Sequence, residues 1–486
     1  MTGSGELRCA NDTKSGAHVG RATRVSQLVV LTAGGAALAA GLGISSDSPQ
    51  EVRAAFVLLA GACGTVAIAA PALRERRWFD PLAFPLLYVV VALSAPVIYL
   101  VLLRRPFGAL QPESVPLEAI TVFGLTIAGL VVGLVAGRRF DLLDDLPSRA
   151  LDGRSLLIFG RSSLVLAVLL RGYTVASQLG QRYGEQSVGF GLDKSLDNLA
   201  VALFFSGCCL VVLGNLHSRR AVLSWADLGL LTGFVLPTLI SGSRGELAAP
   251  LIFVMWARHT FVRPLGFRLL AIIAITTLVV FQGILGVRSG QGFYDGLSPA
   301  SERTLIAIGS PLLVTKLLVD RVPGGYSGGA TYVAALKRQL PSPIAGAFFG
   351  PPDDTGTFVL REILNLRSPD AGLGFSFPSE AYLNFGLYGA FGIAAGVGLL
   401  IGLAWTSSAR LPTRATEVFY PVLVAWLPLN FRADALQQIK VVLYPMVFLA
   451  ACLVVSHHRA QRRQRTRPVL SNTGAATDHT GGTPSV

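Results

Sequence analysis

The sequence predicts an all-α, polytopic membrane protein with about twelve transmembrane helices, and three observations lead to this prediction. Of the 486 residues, 52% are hydrophobic and only 14% are charged, whereas about 25% of the residues in soluble domains are charged. Apolar runs of roughly 20 residues, the length that crosses a hydrocarbon core of about 30 Å, recur between Val25 and Ala451. The lysines and arginines form short clusters beside these runs, which is typical of topology signals and not of a nucleic-acid-binding surface.

The apolar runs divide the chain into three predicted parts. A cytoplasmic tail, residues 1–24, precedes a polytopic membrane domain, residues 25–456, and the basic segment 457–486 is predicted to be a disordered cytoplasmic tail. Because a polar stretch precedes the first apolar run, that run is expected to remain as a membrane anchor. The predicted helices cover residues 25–44, 54–73, 81–103, 118–137, 156–172, 198–215, 225–240, 246–262, 267–286, 379–404, 416–430 and 436–456.

The distribution of basic residues predicts the orientation, because cytoplasmic loops hold the excess of lysine and arginine. Placing both termini in the cytoplasm puts more than half of the 41 lysines and arginines into cytoplasmic loops and tails. One large extracytoplasmic loop, residues 287–378, then lies between helices 9 and 10, and irregular loops of this length are usually functional or disordered. The apolar patches of this loop indicate that it packs against the membrane surface, which favours a functional loop over a disordered one. The short segment from Thr304 to Val319, interrupted by Pro311 and Lys316, predicts an amphipathic or interfacial helix.

Four groups of polar residues lie at the predicted outer ends of helices. Glu380 and Asn384 are four positions apart and share one helix face, and Lys440 lies inside a crossing, where an ionisable residue is a functional hypothesis by default. A structural interpretation also applies, because arginines snorkel at helix ends and the helix dipole favours a glutamate in a first turn. The candidate residues of the four groups are Arg244 and Glu246, then Arg288, then Glu380, Tyr382 and Asn384, and finally Arg432, Asp434 and Lys440.

These residue types suit glycosyl transfer from a lipid-linked phosphate or pyrophosphate. Guanidinium groups bind phosphates through bidentate, charge-assisted hydrogen bonds, and fixed cations would stabilise the negative charge that develops on the leaving group. The sugar hydroxyl that accepts the glycosyl group needs a base or a hydrogen-bond acceptor. Glu380, Asp434 and Glu246 are the three candidate carboxylates, and the sequence leaves open which of them acts.

The histidines narrow the chemistry further. An outer histidine base and an outer histidine metal site are not expected, because every histidine falls on the predicted cytoplasmic side. The first outer loop offers only Asp47 and Glu51, a weak pair of ligands for a divalent cation. We therefore expect a reaction that needs neither metal nor cofactor. The six histidines are His18, His217, His259, His457, His458 and His479.

Three motifs resemble the O-antigen and oligosaccharide repeat-unit polymerases of the Wzy type. They are SGSRGEL at residues 241–247, GLGFSFPSEAYLNFGLYG at 372–389 and NFRADALQQI at 430–439, joined by a long outer loop. The resemblance covers roughly the C-terminal half of the chain. It implies a GT-C-like fold and an enzyme that joins repeat units carried on undecaprenyl pyrophosphate at the outer face of the bacterial plasma membrane.

The resemblance also implies roles for particular residues. The residues that would bind pyrophosphate groups are Arg244, Arg288 and Arg432. Those that would lie near the reacting sugars are Glu380, Asn384 and Asp434. Two outer loops are expected to carry arginines, and these would be Arg171 and Arg182, then Arg288 and Arg303. The implied partners are the lipid-linked oligosaccharides, the surrounding membrane lipids and a chain-length regulator as a further candidate.

Two other functions remain open from the sequence. A transporter or flippase of lipid-linked saccharides would usually show internal repeats and short loops, whereas this chain shows no repeat and one very long loop. A glycosyltransferase with a polyprenyl-monophosphate sugar donor would fit better with a strong acidic pair in the first outer loop. The similar O-antigen ligases rely on an outer histidine, which this chain lacks, and this favours a polymerase over a ligase.

Overall fold

The protein is seen here as a computed structural model. It describes residues 106, 117–137, 151–177, 192–218, 221–241, 244–288, 311–322, 327–339, 375–410 and 435–466. Within these ranges every regular element is an α-helix. Five helices in this part of the chain are long and apolar enough to cross a membrane, so the described part is all-α and has the helices of a polytopic membrane protein, as the sequence predicts.

The helices of the described ranges are numbered here in chain order. They are α1 (Leu117–Gly137), α2 (Gly153–Ser177), α3 (Leu192–His217), α4 (Trp225–Ser241), α5 (Arg244–Phe261), α6 (Phe267–Arg288), α7 (residues 311–321), α8 (Ala330–Lys337), α9 (Phe377–Arg410) and α10 (Ala435–Thr466).

Eight of the predicted crossings fall on described residues, and each of them is helical. The ends of α1, α4, α5 and α6 lie within two residues of the predicted ends, whereas α2, α3, α9 and α10 are longer. The predicted crossings at 25–44, 54–73, 81–103 and 416–430 lie outside the described residues.

Helix α10 differs most from the prediction, because it continues past residue 456 to Thr466 through a segment that was expected to be disordered. Contacts along these added turns explain the difference. Arg463 Nη1 donates to Asp152 Oδ1 at 2.8 Å, just before α2 begins, and Gln461 Nε2 lies 2.9 Å from His457 Nε2 one turn earlier. The basic end of α10 is therefore a helix attached to α2.

Small residues hold α1 against α9 over most of their length. A Cβ atom on Gly133 of α1 would lie 1.9 Å from the carbonyl oxygen of Ala395, and one on Gly398 of α9 would lie 2.3 Å from that of Leu130. Inside a membrane, association depends on this kind of close backbone approach, because lipid supplies no hydrophobic driving force between helices. This close approach therefore packs the part of α9 after Gly386 against α1.

Helix α3 lies at the centre of a second group that includes α2, α4, α5 and α10. Its residues from Phe204 to Leu213 are nearly all inaccessible to solvent, and the ring of Phe204 stacks on that of Phe234 in α4 at a centroid distance of 4.0 Å. Gly160 of α2 and Gly207 of α3 lie at a contact too close for any side chain at either position. One core thus joins helices from both halves of the described chain.

Helix α7 belongs to the segment for which an amphipathic or interfacial helix was predicted. It is amphipathic, with Lys316 paired to Asp320 on its outer side. Its apolar residues pack on protein: Leu312 joins a cluster with α1 and α9, and Val314 and Leu318 contact Phe375 and Leu383. The segment is therefore part of the helical core that surrounds the start of α9.

Candidate functional site

Helix α9 is broken at Gly386. This residue has φ 67° and ψ −153°, a combination that is essentially restricted to glycine. In an unbroken helix the carbonyl oxygens of Leu383 and Asn384 would accept the N–H groups four residues later. Instead they accept the backbone N–H groups of Ser327, at 3.0 Å, and Gly328, at 3.1 Å. The break therefore allows a distant loop to join the helix.

The loop that joins α9 has a backbone suited to this approach. Gly328 and Gly329 have φ values of 56° and 91°, in the left-handed region that glycine adopts without strain. A Cβ on Gly329 would lie 3.0 Å from Cζ of Phe385. Helix α8 begins directly afterwards, so Thr331 and Tyr332 in its first turn lie against α9, where Thr331 contacts Glu380.

Glu380 joins three helices. Its side chain is 1% exposed, and Thr331 Oγ1 of α8 donates to its Oε1 at 2.7 Å. The backbone N–H of Ala435 donates to its Oε2 at 2.6 Å. Ala435 is the first residue of α10, where unpaired N–H groups and the helix dipole favour a negative charge. The buried carboxylate thus receives hydrogen bonds on both oxygens.

Asn384 continues these contacts one turn later on α9. We call Glu380, Thr331, Asn384 and Ala435 together the Glu380 network. Its Nδ2 donates to Thr331 Oγ1 at 2.7 Å and to the Glu380 carbonyl oxygen at 2.8 Å. Its Oδ1 is buried and has no hydrogen-bond partner among the described residues. Leaving a buried polar atom unpaired costs about 1–3 kcal/mol, so this oxygen is a candidate acceptor for a ligand.

Tyr332 supplies a second buried polar atom without a partner in the described part of the chain, its hydroxyl oxygen. Burial raises the pKa of this phenol, and the negative charge of Glu380 raises the pKa further, so the hydroxyl stays protonated and can donate. The Tyr332 ring stacks on Phe385 at 6.2 Å. Asn384 therefore offers an acceptor within the contacts of Glu380, and Tyr332, the residue after Thr331, offers a donor.

Hydroxyl groups fix the first turn of α9 from the opposite side. Thr315 Oγ1 of α7 lies 2.7 Å from Ser379 Oγ and donates to the Pro311 carbonyl oxygen at 2.8 Å. Ser376 Oγ contacts Ser379 Oγ and accepts the backbone N–H of Ser379 at 3.3 Å. Because these groups are buried and paired, the orientation of the helix turn that carries Glu380 is fixed.

Helix α8 is also attached to α10 beyond the Glu380 contact. Tyr444 of α10 donates its hydroxyl to the Gln339 carbonyl oxygen at 3.1 Å. Gln339 Nε2 donates to the Ala335 carbonyl oxygen at 2.9 Å and lies 3.5 Å from that of Leu436. Helices α8 and α10 are therefore joined by hydrogen bonds besides those that each makes to Glu380.

The structure brings together some of the predicted residues. Glu380 and Asn384 share the network, and Lys440 lies half-buried on the second turn of α10. Tyr382 faces α1 instead, where its hydroxyl lies 3.4 Å from Glu118 Oε1. The substrate-binding role predicted for Tyr382 stays a prediction.

The remaining predicted residues are not described at the level of their side chains. Arg244 and Glu246 lie in the first turn of α5, and Arg288 is the last residue of α6. Arg432 and Asp434 fall outside the described residues and directly precede Ala435 in the sequence. Their predicted roles stay predictions.

Arg171, one of the arginines expected in the outer loops, lies instead inside α2, where it has a defined partner. It pairs with Asp197 of α3, and its side chain is 4% exposed. Thr174 Oγ1 also contacts Asp197 Oδ1, at 3.3 Å, and the Arg171 guanidinium lies 6.0 Å from the ring centre of Phe234. This arginine connects α2, α3 and α4.

Sequence reasoning missed the contribution of α8. Thr331 and Tyr332 stand in a stretch without charge or motif, and only the glycine pair before them indicates a turn. Their importance depends on a contact across 49 positions, Thr331 to Glu380, which no local pattern contains. Within the described residues, no group of three histidine, cysteine or carboxylate side chains is placed to hold a metal ion.

In comparisons with known proteins, no family model, no curated protein and no solved structure matches this chain.

Proposed function

We propose that this protein is a glycosyltransferase that polymerises oligosaccharide repeat units linked to a polyprenyl pyrophosphate. It would act at the outer face of a bacterial plasma membrane, with about twelve crossings in a GT-C-like arrangement and both termini in the cytoplasm. The proposal rests on the contacts of Glu380, a buried carboxylate at a break in a membrane helix, and on polar atoms of Asn384 and Tyr332 for which the described residues supply no hydrogen-bond partner.

The network supplies the groups that a sugar acceptor requires. Asn384 Oδ1 can accept a hydrogen bond from a sugar hydroxyl, and the Tyr332 hydroxyl can donate one. In a buried site such paired hydrogen bonds discriminate strongly between ligands, because a ligand without the matching group leaves the protein atoms unpaired. A sugar with several hydroxyls fits this pairing better than an apolar ligand does.

The cations needed for the pyrophosphate are found close by in the chain. Arg432 and Asp434 stand three and one positions before Ala435, whose N–H bonds to Glu380, and Lys440 follows on the second turn of α10. Arginine binds phosphate oxygens through two parallel hydrogen bonds. We assign Arg432 and Lys440 to the pyrophosphate, together with Arg244 and Arg288 from the ends of α5 and α6.

The reaction requires one bond to form and one to break. A hydroxyl oxygen of the acceptor unit attacks the anomeric carbon of the growing chain, and the bond from that carbon to the pyrophosphate oxygen breaks. The hydroxyl proton passes to a carboxylate, for which Glu380, Asp434 and Glu246 remain the candidates. The arginines stabilise the charge that appears on the departing polyprenyl pyrophosphate. No metal ion or cofactor takes part in this scheme.

Deleting the gene in its own host tests the function directly. We expect the surface glycan, separated by length on a gel, to change from a ladder to single repeat units. Complementation with the wild-type gene should restore the ladder, because only the joining step is missing. A host that keeps its full ladder after the deletion would show that the protein is not the polymerase.

Complementation with variants tests the site. Glu380→Gln keeps the shape of the side chain but removes the negative charge. We expect the complemented host to carry glycans of a single repeat unit, although the variant protein is present in the membrane. Glu118→Gln is the matched control, since Glu118 is a carboxylate near the same end of the bundle and is exposed. If Glu380→Gln restored long chains as well as Glu118→Gln does, the site assignment would be wrong while the function could stand.

One observation favours a second function, a transporter or flippase of the same lipids. Broken membrane helices are typical of transporter substrate sites, and Gly386 breaks α9 beside a buried carboxylate. Purified protein in detergent distinguishes the two, because detergent has no second compartment to transport into. Lengthening of lipid-linked units in detergent supports the polymerase. Movement of these lipids across the membrane of liposomes, without any lengthening, supports the transporter.

A further inference from the structure

A cavity of about 400 Å³ lies where the end of α10 meets the start of α2. Arginine dominates its lining, with Ser155 and Ile158 as the other contributors. The four arginines are Arg154 from α2 and Arg459, Arg462 and Arg463 from α10. All four are exposed, so the cavity is open to a ligand from the surface.

Internal contacts hold part of this lining in position. Arg459 Nη1 donates to Ser155 Oγ at 3.3 Å, and its guanidinium lies 5.2 Å from the ring centre of Phe159. Arg463 pairs with Asp152, which also accepts the Ser155 hydroxyl at 2.5 Å. The contacts of the described residues thus set one carboxylate, Asp152, against the four arginines of the lining.

The cavity and the Glu380 network lie at opposite ends of α10. Ala435 begins the helix and Arg459 follows 24 positions later, which corresponds to about 36 Å along the axis at 1.5 Å per residue. This is close to the thickness of a membrane core. With the topology that the sequence predicts, the cavity would therefore lie at the other boundary of the bilayer, on the cytoplasmic side.

Apolar surface borders the arginines toward the membrane centre. Ile158 is one turn along α2 from Arg154, and Val455 is one turn before Arg459 on α10, and both are exposed. A lipid whose phosphate occupied the cavity could lay its acyl chains along these residues. Clusters of arginine at this depth bind anionic headgroups through charge attraction and hydrogen bonds.

We propose that this arginine cavity is a binding site for a phosphate-bearing anion at the membrane boundary opposite the Glu380 network. An anionic phospholipid headgroup and a soluble pyrophosphate share this chemistry, and the experiment below distinguishes them. The proposal does not depend on the polymerase activity, because the residues of the two sites are separate.

The test measures ligand binding to the full-length protein in uncharged detergent. Short-chain phosphatidylglycerol, phosphatidylcholine of the same chain length and inorganic pyrophosphate are each titrated at one fixed ionic strength, since salt screens such contacts. Binding is followed by the shift in thermal unfolding temperature and by native mass spectrometry. We expect phosphatidylglycerol to bind more tightly than phosphatidylcholine.

The variant Arg154→Gln with Arg462→Gln removes two charges and leaves the Arg463–Asp152 and Arg459–Ser155 contacts in place. We expect its affinity for the phosphate ligand to fall at least tenfold, and each single substitution to give a smaller loss. The matched control is Arg258→Gln with Arg263→Gln, which removes the same charge from exposed arginines of another segment and should bind as the wild type does.

Each outcome bears on the proposal. Loss of phosphatidylglycerol binding only in the cavity variant supports a lipid site, and the same dependence seen only with pyrophosphate supports a site for a soluble anion. An equal loss in both double variants would indicate unspecific charge attraction and would overturn the proposal. Binding unchanged in the double and single cavity variants would also overturn it.

Discussion

The carboxylate of Glu380 accepts a hydrogen bond of 2.6 Å from the backbone N–H of Ala435, a residue 55 positions later in the chain. This contact connects the start of α10 to the first turn of the broken helix α9. Thr331 connects α8 to the same carboxylate. A single buried side chain thus contacts three helices, and the predictions below test parts of this arrangement and of the fold that supports it.

Thr331→Val should destabilise the protein by about 2 kcal/mol. The valine has nearly the same shape, but it leaves Glu380 Oε1 and Asn384 Nδ2 each short of one hydrogen-bond partner, and an unpaired buried polar group costs about 1–3 kcal/mol. The free energy of unfolding can be measured by denaturant titration of the purified protein in mixed micelles. Glycan chain length in the complemented host should decrease as well.

Two control variants accompany the Thr331 measurement. Thr331→Ser retains the hydroxyl and should retain most of the stability and the chain length. Thr232→Val removes a hydroxyl that bonds only within α4 on an exposed face, and such surface changes are usually within about 0.5 kcal/mol. Equal losses for Thr331→Val and Thr232→Val would contradict the proposed role of the Thr331 hydroxyl.

Gly386→Ala should destabilise the break in α9. Alanine at φ 67° and ψ −153° is strained by about 1–3 kcal/mol, and a straightened helix would lose the hydrogen bonds from Ser327 and Gly328. The control is Gly392→Ala in the same helix, where a Cβ meets no atom within 4 Å and alanine is favoured over glycine by about 1 kcal/mol. Thermal unfolding should separate the two variants, and similar unfolding temperatures would argue against a strained break.

Gly133→Ala should weaken the contact between α1 and α9. The added methyl group would lie 1.9 Å from the carbonyl oxygen of Ala395, and because that atom belongs to a helix backbone, the two helices must separate. Overpacking of this kind costs about 1–3 kcal/mol or more. Gly396→Ala is the control, since its Cβ meets no atom within 4 Å. A stable Gly133→Ala protein would show that the interface is looser than the structure indicates.

Arg171→Leu should destabilise the protein by about 2 kcal/mol or more, because it leaves the Asp197 carboxylate without its buried partner. Replacing both residues with leucine should recover much of this loss, since no charge then remains unpaired. The comparison of the two single variants with the double variant isolates the pair. If the double variant lost as much stability as the sum of the singles, the two residues would not be coupled.

Much of the fold could be predicted from the sequence, because a helix in lipid satisfies its own backbone hydrogen bonds and needs only a sufficiently long apolar run. This is why the ends of α1 and α6 lie within two residues of the predicted ends. The end of α10 could not be predicted in the same way. It depends on Arg463 reaching Asp152, 311 positions earlier, and composition alone suggested disorder there.

The candidate site, like the fold, could be predicted from the sequence only in part. The sequence by itself determined that Glu380 and Asn384 share one helix face, because 3.6 residues per turn brings positions four apart together. Only the tertiary structure decided that Gly386 breaks this helix, that Thr331 and Tyr332 enter at the break, and that Tyr382 turns to α1. These outcomes depend on contacts between distant segments, whose geometry follows from packing and from the pairing of buried polar groups.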